Sequence, residues 1–149
     1  LWLTLFRDKI DEIMEQVKCP VAVFVNRQYR EGSTVSFVLG GMIDLFLFSY
    51  LDKMLQNGHS VRLFLFDTDD EEFRGRIDDL QVRYPEQTMI VCFEGVEDLV
   101  TEEKDGLLIM SHLSYTKLSE DEAVMRELSS LLVIRRNKNT GDKNEGLEN

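Results

Sequence analysis

Apolar residues recur at helical spacing through the opening stretch "LTLFRDKIDEIMEQVKC". Leu3, Phe6, Ile10, Ile13, Met14 and Val17 fall on one face, with acids and lysines opposite, which predicts an amphipathic helix. Pro20 closes it, and "VAVFVN" (residues 21–26) reads as a strand. After the polar "RQYREGS", the run "TVSFVLGG" is a second strand whose paired glycines permit a sharp exit. Residues 43–56 predict a helix that is apolar nearly all round, so burial on more than one side is expected, with Asn57 and Gly58 as its left-handed stop.

The alternation then repeats. "SVRLFLFD" is a strand, and "DDEEFRGRIDDLQVRY" is a helix with Phe73, Ile77, Leu80 and Tyr84 on its inner face. "QTMIVCFEG" is a strand, "VEDLVTEEK" a short helical turn and "DGLLIMSH" a strand. Residues 119–130 predict a helix opened by a capping box, Ser119 with Glu122, and "LLVIRR" is the last strand. The polar tail "NKNTGDKNEGLEN" has no periodicity and is expected to fray. Continuous apolar strands alternating with helices predict an α/β fold, a doubly wound and mostly parallel five-stranded sheet covered on both faces. That unit spans residues 34–137, and residues 138–149 form the tail. Residues 1–33, a helix and a strand, are surplus to it. "CPVAVFVNR" and "SSLLVIRRN", each after a helix, read as one closing unit used twice, so residues 1–33 are expected to be the remnant of a preceding similar domain.

Composition adds exclusions. The 149 residues, 43% apolar with only two prolines, suit one folded domain. Twenty-eight acids against 17 bases give a net charge of −11, which repels phosphate backbones and anionic lipid, so no nucleic-acid partner is expected. "LWLTLF" is too short for a signal peptide. The most apolar stretch, "MIDLFLFSYLDKML", is too short to span hydrocarbon and contains Asp44 and Asp52, so it reads as a core helix. The first residues read as the lead-in to a helix, and the chain is expected to belong to a longer protein. Cys19 and Cys92 sit in apolar runs and read as free buried thiols of a reducing cytoplasm. His59 and His112 are isolated in sequence, so no metal site is expected.

Several patterns invite a sharper chemistry and fail its requirements. "DTDDEE" (residues 67–72) lacks the glycine and the glutamate that a calcium loop needs at its sixth and twelfth places, and reads as a solvated acidic helix start. Asp67, Asp69, Ser111 and a late lysine invite comparison with a phospho-acceptor pocket, but that fold needs an acid pair after its first strand and a helix between its first two strands. His112, near Ser111 and Ser114, has no nucleophile or paired acid at useful spacing and reads as a loop histidine, so no catalytic residue is assigned. If a ligand pocket exists, Gly40, Gly41, Asp44, Asp67 and Ser111 line it, because all stand at the carboxyl edge where open α/β sheets place their sites.

The doubled closing unit and the strand lengths resemble the universal stress protein family. More specifically, "VAVFVNR", followed by "FVLGGMID" (residues 37–44) and "DGLLIMS" (residues 105–111), is similar to the cytoplasmic C-terminal region of cation:proton antiporters. The resemblance covers residues 6–136. It implies a strand order of 3-2-1-4-5 and an antiparallel pairing of residues 21–26 with residues 131–136, with pairing to another copy in a homodimer as the alternative. It also implies a non-enzymatic regulatory domain at the cytoplasmic face of the cell membrane, joined to the membrane-spanning part of a sodium or potassium:proton antiporter in the same polypeptide. Such a domain acts by sensing a small molecule or by self-association. The departures concern nucleotide. Nucleotide-binding members carry an Asp where Leu39 and Gly40 stand here, and a glycine-rich loop where this chain has "SHLSYTKLSEDEAVMRELSS". No glycine stands between Gly106 and Gly141, and Glu120, Asp121 and Glu122 put negative charge where phosphate should sit, so no cofactor is expected. The alternative reading is a free-standing stress-type protein that binds an adenine nucleotide through an altered loop.

Overall fold

Apolar runs with few polar interruptions can hide both faces of a strand, and here they pair in parallel. The structure is a computed structural model that describes residues 2–66, 69–100 and 104–136. Among the described residues there are six strands: β1 (Val21–Val25), β2 (Val35–Leu39), β3 (Val61–Phe66), β4 (Thr88–Phe93), β5 (Leu107–Ser111) and β6 (Ser130–Arg135). They form one sheet of order β1-β6-β5-β2-β3-β4. The five strands after β1 are parallel throughout and, numbered from β2, run 3-2-1-4-5. From β2 the chain winds outward through β3 and β4, then returns to β5 and β6 on the other side. The direction of winding therefore reverses between β2 and β5. β1 lies antiparallel to β6, with Val21 opposite Arg135 and Val25 opposite Leu131.

Five α-helices accompany the strands among the described residues: α1 (Trp2–Gln16), α2 (Phe48–Gln56), α3 (Glu71–Arg83), α4 (His112–Leu118) and α5 (Glu122–Glu127). On one face, α2 and α3 bury Leu51, Leu55, Phe73, Ile77 and Leu80 against Phe37, Leu39 and Leu63 of the sheet. On the other, α1, α4 and α5 bury Ile10, Met14, Tyr115, Leu118 and Met125 against Val38, Met110 and Val133. The alternation of inward positions along β2 and β3 thus feeds two separate cores, the two-sided cover that a doubly wound sheet requires. Among the described residues no helix is long and apolar enough to cross a membrane.

Several local expectations change. The predicted helix over residues 43–56 begins as a 3₁₀ helix, Met42–Leu47, before α2. Ile43 and Tyr50 are 49% and 45% exposed, so this helix is covered on one side only. Gly41, at φ 126°, turns the chain abruptly out of β2, and the tighter 3₁₀ winding shifts which side chains face the sheet. The predicted helix over residues 119–130 is replaced by two short ones. Ser111 caps α4 by accepting from the Ser114 amide, and Asp121 caps α5 by accepting from the Val124 amide. Ser119 stands at the carboxyl end of α4 instead, where its amide donates to the Tyr115 carbonyl and its hydroxyl to the Thr116 carbonyl. Ile13 is exposed, as are both thiols, Cys19 in the turn after α1 and Cys92 on the outer strand β4. Residues 101–103 and the predicted tail, residues 138–149, lie outside the described residues.

The α1–β1 unit is fastened by two arginines. β6 sends the Arg135 guanidinium to the carbonyls of Met14, Val17 and Cys19, the last at 2.8 Å, where α1 ends. In return Arg27, just past β1, donates to the carbonyls of Met125 and Leu128 at the end of α5, and its amide donates to Ser130 Oγ at 2.7 Å. Each guanidinium meets carbonyls left free by a helix end, where the helix dipole also favours positive charge. Burial pushes the Arg27 pKa down from its ordinary value, while the nearby Tyr115 acts in the opposite sense.

Candidate functional site

The reversal between β2 and β5 opens a crevice at the carboxyl ends of those strands, the usual ligand position in open parallel sheets. Asp44 fills its floor. The chain leaves β2 at Gly40, turns at Gly41 and returns through the 3₁₀ helix, which brings the Asp44 carboxylate back under its own strand. The Gly40 amide donates to Asp44 Oδ2 at 2.6 Å. From the far side of the crevice the Ser114 hydroxyl donates to the same oxygen at 3.2 Å, and the Ser114 amide donates to Ser111 Oγ at 3.1 Å. Asp44 is 0% exposed, and Ser111 and Ser114 are also buried. The packing is close: a Cβ at Gly40 would lie 3.2 Å from Asp44 Oδ2 and 3.5 Å from Ser114 Oγ. Gly40, Asp44 and Ser111 therefore belong to one hydrogen-bonded staple joining the exit of β2 to the start of α4. Asp44 Oδ1, by contrast, is buried without a partner.

Gly41 adjoins the staple through its backbone, whose carbonyl accepts from the Asp44 amide at 3.0 Å. Asp67, the remaining expected pocket residue, lies outside the described residues. Ser114 is the member that the pocket expectation missed. Its signal is local, since it stands three residues after Ser111, the spacing at which a cap hydroxyl meets a helix amide. A cavity of about 260 Å³ opens beside the staple, lined in part by Asp44, Ser111, His112 and Arg136. His112 is the first residue of α4 rather than a loop residue, and its Nε2 lies 2.8 Å from Asp11 Oδ1 on α1. The acidic segment before α3 supplies that helix with its cap, Asp70 accepting from the Phe73 amide at 3.1 Å. Among the described residues no group of three histidines, cysteines or acids is placed to hold a metal ion.

A larger cavity, about 800 Å³, lies at the opposite, amino edge, between the loops that carry Tyr29, Ser33, His59 and Gln87. Its polar lining is partly committed to structure: Gln87 Nε2 donates to the carbonyls of Leu55 and His59 at 3.0 and 2.9 Å. The amino ends of parallel strands are also not where such sheets bind ligands. The switch-point crevice is the better candidate despite its smaller volume.

The staple allows a direct check. Asp44→Ala strips the acceptor from the Gly40 amide and the Ser114 hydroxyl, but it also removes a buried oxygen that has no partner. The two effects oppose each other, and the expected net loss is about 1–2 kcal/mol in urea denaturation. A loss above about 4 kcal/mol would mean that Oδ1 has a partner this geometry does not provide.

The fold and the crevice define a class, an open and mostly parallel α/β sheet protein with a carboxylate at its switch point. Comparison with protein-family models, curated proteins and solved structures finds no match to this chain.

Proposed function

We propose that the chain is a non-catalytic regulatory domain of universal stress protein type, at the cytoplasmic face of a membrane cation:proton antiporter and continuous with it. It acts by sensing a small molecule or by self-association. The observation that carries this reading is the antiparallel pairing of β1 with β6 beside five parallel strands ordered 3-2-1-4-5, the arrangement that the doubled closing unit implies. The crevice chemistry supports a role without nucleotide. Where a phosphate cradle needs bare backbone amides, α4 starts at once after β5 and a buried carboxylate holds the floor. Regulation of this kind biases a transporter only as far as the ligand's affinity differs between two states.

Fractionation of the native full-length protein, detected with an antibody to this domain, tests the assignment. A band much larger than 17.4 kDa in the membrane pellet is expected. A band of about this size in the supernatant overturns the antiporter reading. A thermal-shift titration addresses nucleotide separately: millimolar adenosine triphosphate is expected to leave Tm unchanged, whereas a binder would raise stability by RT ln(1 + [L]/Kd).

A further inference from the structure

The cavity beside the staple carries both signs of charge and an apolar wall. At about 260 Å³ it falls below the ~300–1,000 Å³ typical of pockets for drug-sized ligands, so its occupant is small. Asp44 contributes a carboxylate whose Oδ2 has two donors and whose Oδ1 has none. A buried anion with an unmet oxygen gains strongly from any donor that reaches it. Two arginines line the same cavity, but Arg135 is committed to the carbonyls at the end of α1. Arg136 is exposed and has no ion-pair partner among the described residues. Ile43, Phe46, Leu113 and Ile134 supply the apolar lining.

We propose that this cavity binds a small zwitterion of the α-amino-acid class. The ammonium group meets Asp44 Oδ1, the carboxylate meets the Arg136 guanidinium, and an aliphatic side chain packs on Ile43, Phe46 and Leu113. The alternatives match less of the lining. A metal cation would find one carboxylate and two guanidinium groups, a phosphate would meet the Asp44 charge, and a plain amine or plain carboxylate would use only one of the two charges. Oδ1 is screened from solvent, so the part that must give is the 3₁₀ helix Met42–Leu47, a winding held by weaker hydrogen-bond geometry than an α-helix. Binding is therefore coupled to a shift of that turn.

The inference deepens the ligand-sensing half of the proposed function and rests on it only for its biological use. The test is amide NMR of the 149-residue chain titrated with millimolar L-leucine, n-butylamine and butyrate in parallel. Leucine is expected to give saturable shifts at residues 40–46, 111–116 and 134–136, with each single-charge probe at least roughly ten-fold weaker. Arg136→Gln, at an exposed position, is expected to keep the fold and weaken leucine by a similar factor. Asp44→Asn retains an acceptor for Gly40 and is expected to do the same. Flat titrations with leucine, equal binding of butylamine, or unchanged affinity in Arg136→Gln would each overturn the proposal. A soluble native protein in the fractionation would sink the antiporter reading yet leave this titration intact, and flat titrations would leave the membrane assignment intact.

Discussion

Deleting residues 1–31 is expected to turn the chain into a species that dimerises or precipitates. The deletion removes β1 and leaves β6 as a bare edge, with unpaired amides and carbonyls along Ser130–Arg135. It also strips α1, whose Ile10 and Met14 are buried against the core that contains Leu131 and Val133. Each such side chain contributes about 1.5–3 kcal/mol of burial, so the uncovered face is both adhesive and costly. A long, apolar, unprotected edge is a template for pairing with another chain. The preferred product is an antiparallel β6–β6 pair, since that edge already accepts an antiparallel strand with Val23 opposite Val133. Sedimentation of the truncated and full chains at two concentrations reads the outcome. A truncated chain that stays monomeric, with native circular dichroism, would show the α1–β1 unit to be dispensable cover.

Arg135→Met is expected to cost about 3–5 kcal/mol, the largest loss from a single substitution. The guanidinium serves the carbonyls of Met14, Val17 and Cys19 together, and methionine fills the volume but offers them nothing. Each carbonyl left unmet and shielded costs about 1–3 kcal/mol, reduced where water reaches it. The buried Nε of Arg135 has no partner, and losing it returns part of that cost. The net remains large against a total stability of about 5–15 kcal/mol. Urea denaturation should show a lower midpoint at unchanged slope. Arg135→Lys should recover only part of the loss, because an ammonium cannot reproduce the planar fork that spans three acceptors. A change within about 1 kcal/mol would mean that the end of α1 rewets without difficulty.

The strands were legible because each is a mainly apolar run of five or six residues with few polar interruptions, a local property of the sequence. The β1–β6 pairing was not legible in the residues themselves: "VAVFV" and "LLVIR" occupy equivalent places after a helix, but their antiparallel pairing was an implication of the family resemblance. The staple was only half legible. Gly40, Asp44 and Ser111 share a sheet edge that topology predicts, but the bond from Ser114 to Asp44 joins residues 70 apart and leaves no periodic trace. α4 was hidden because "HLSYTKL" mixes hydroxyl-bearing and aromatic residues, whose weak helix propensity masks the buried positions Ser114, Tyr115 and Leu118. The Cys92 expectation failed because β4 is the outer strand of the sheet, where an apolar run is covered only in part and leaves Met89 and Cys92 exposed. Arg135 read as the polar end of a strand, since nothing in "LLVIRR" tells that a helix more than a hundred residues earlier ends within its reach.

The antiparallel register of β1 has a mechanical side. Val21, where the chain enters β1, stands opposite Arg135, where it leaves β6, so both ends depart from one corner of the sheet. Tension applied between those ends does not load the five facing residue pairs in shear; it opens them in sequence from that corner, like a zip. The first elements to feel the load are the bonds from Arg135 to the end of α1, which makes this one side chain the latch on the slider.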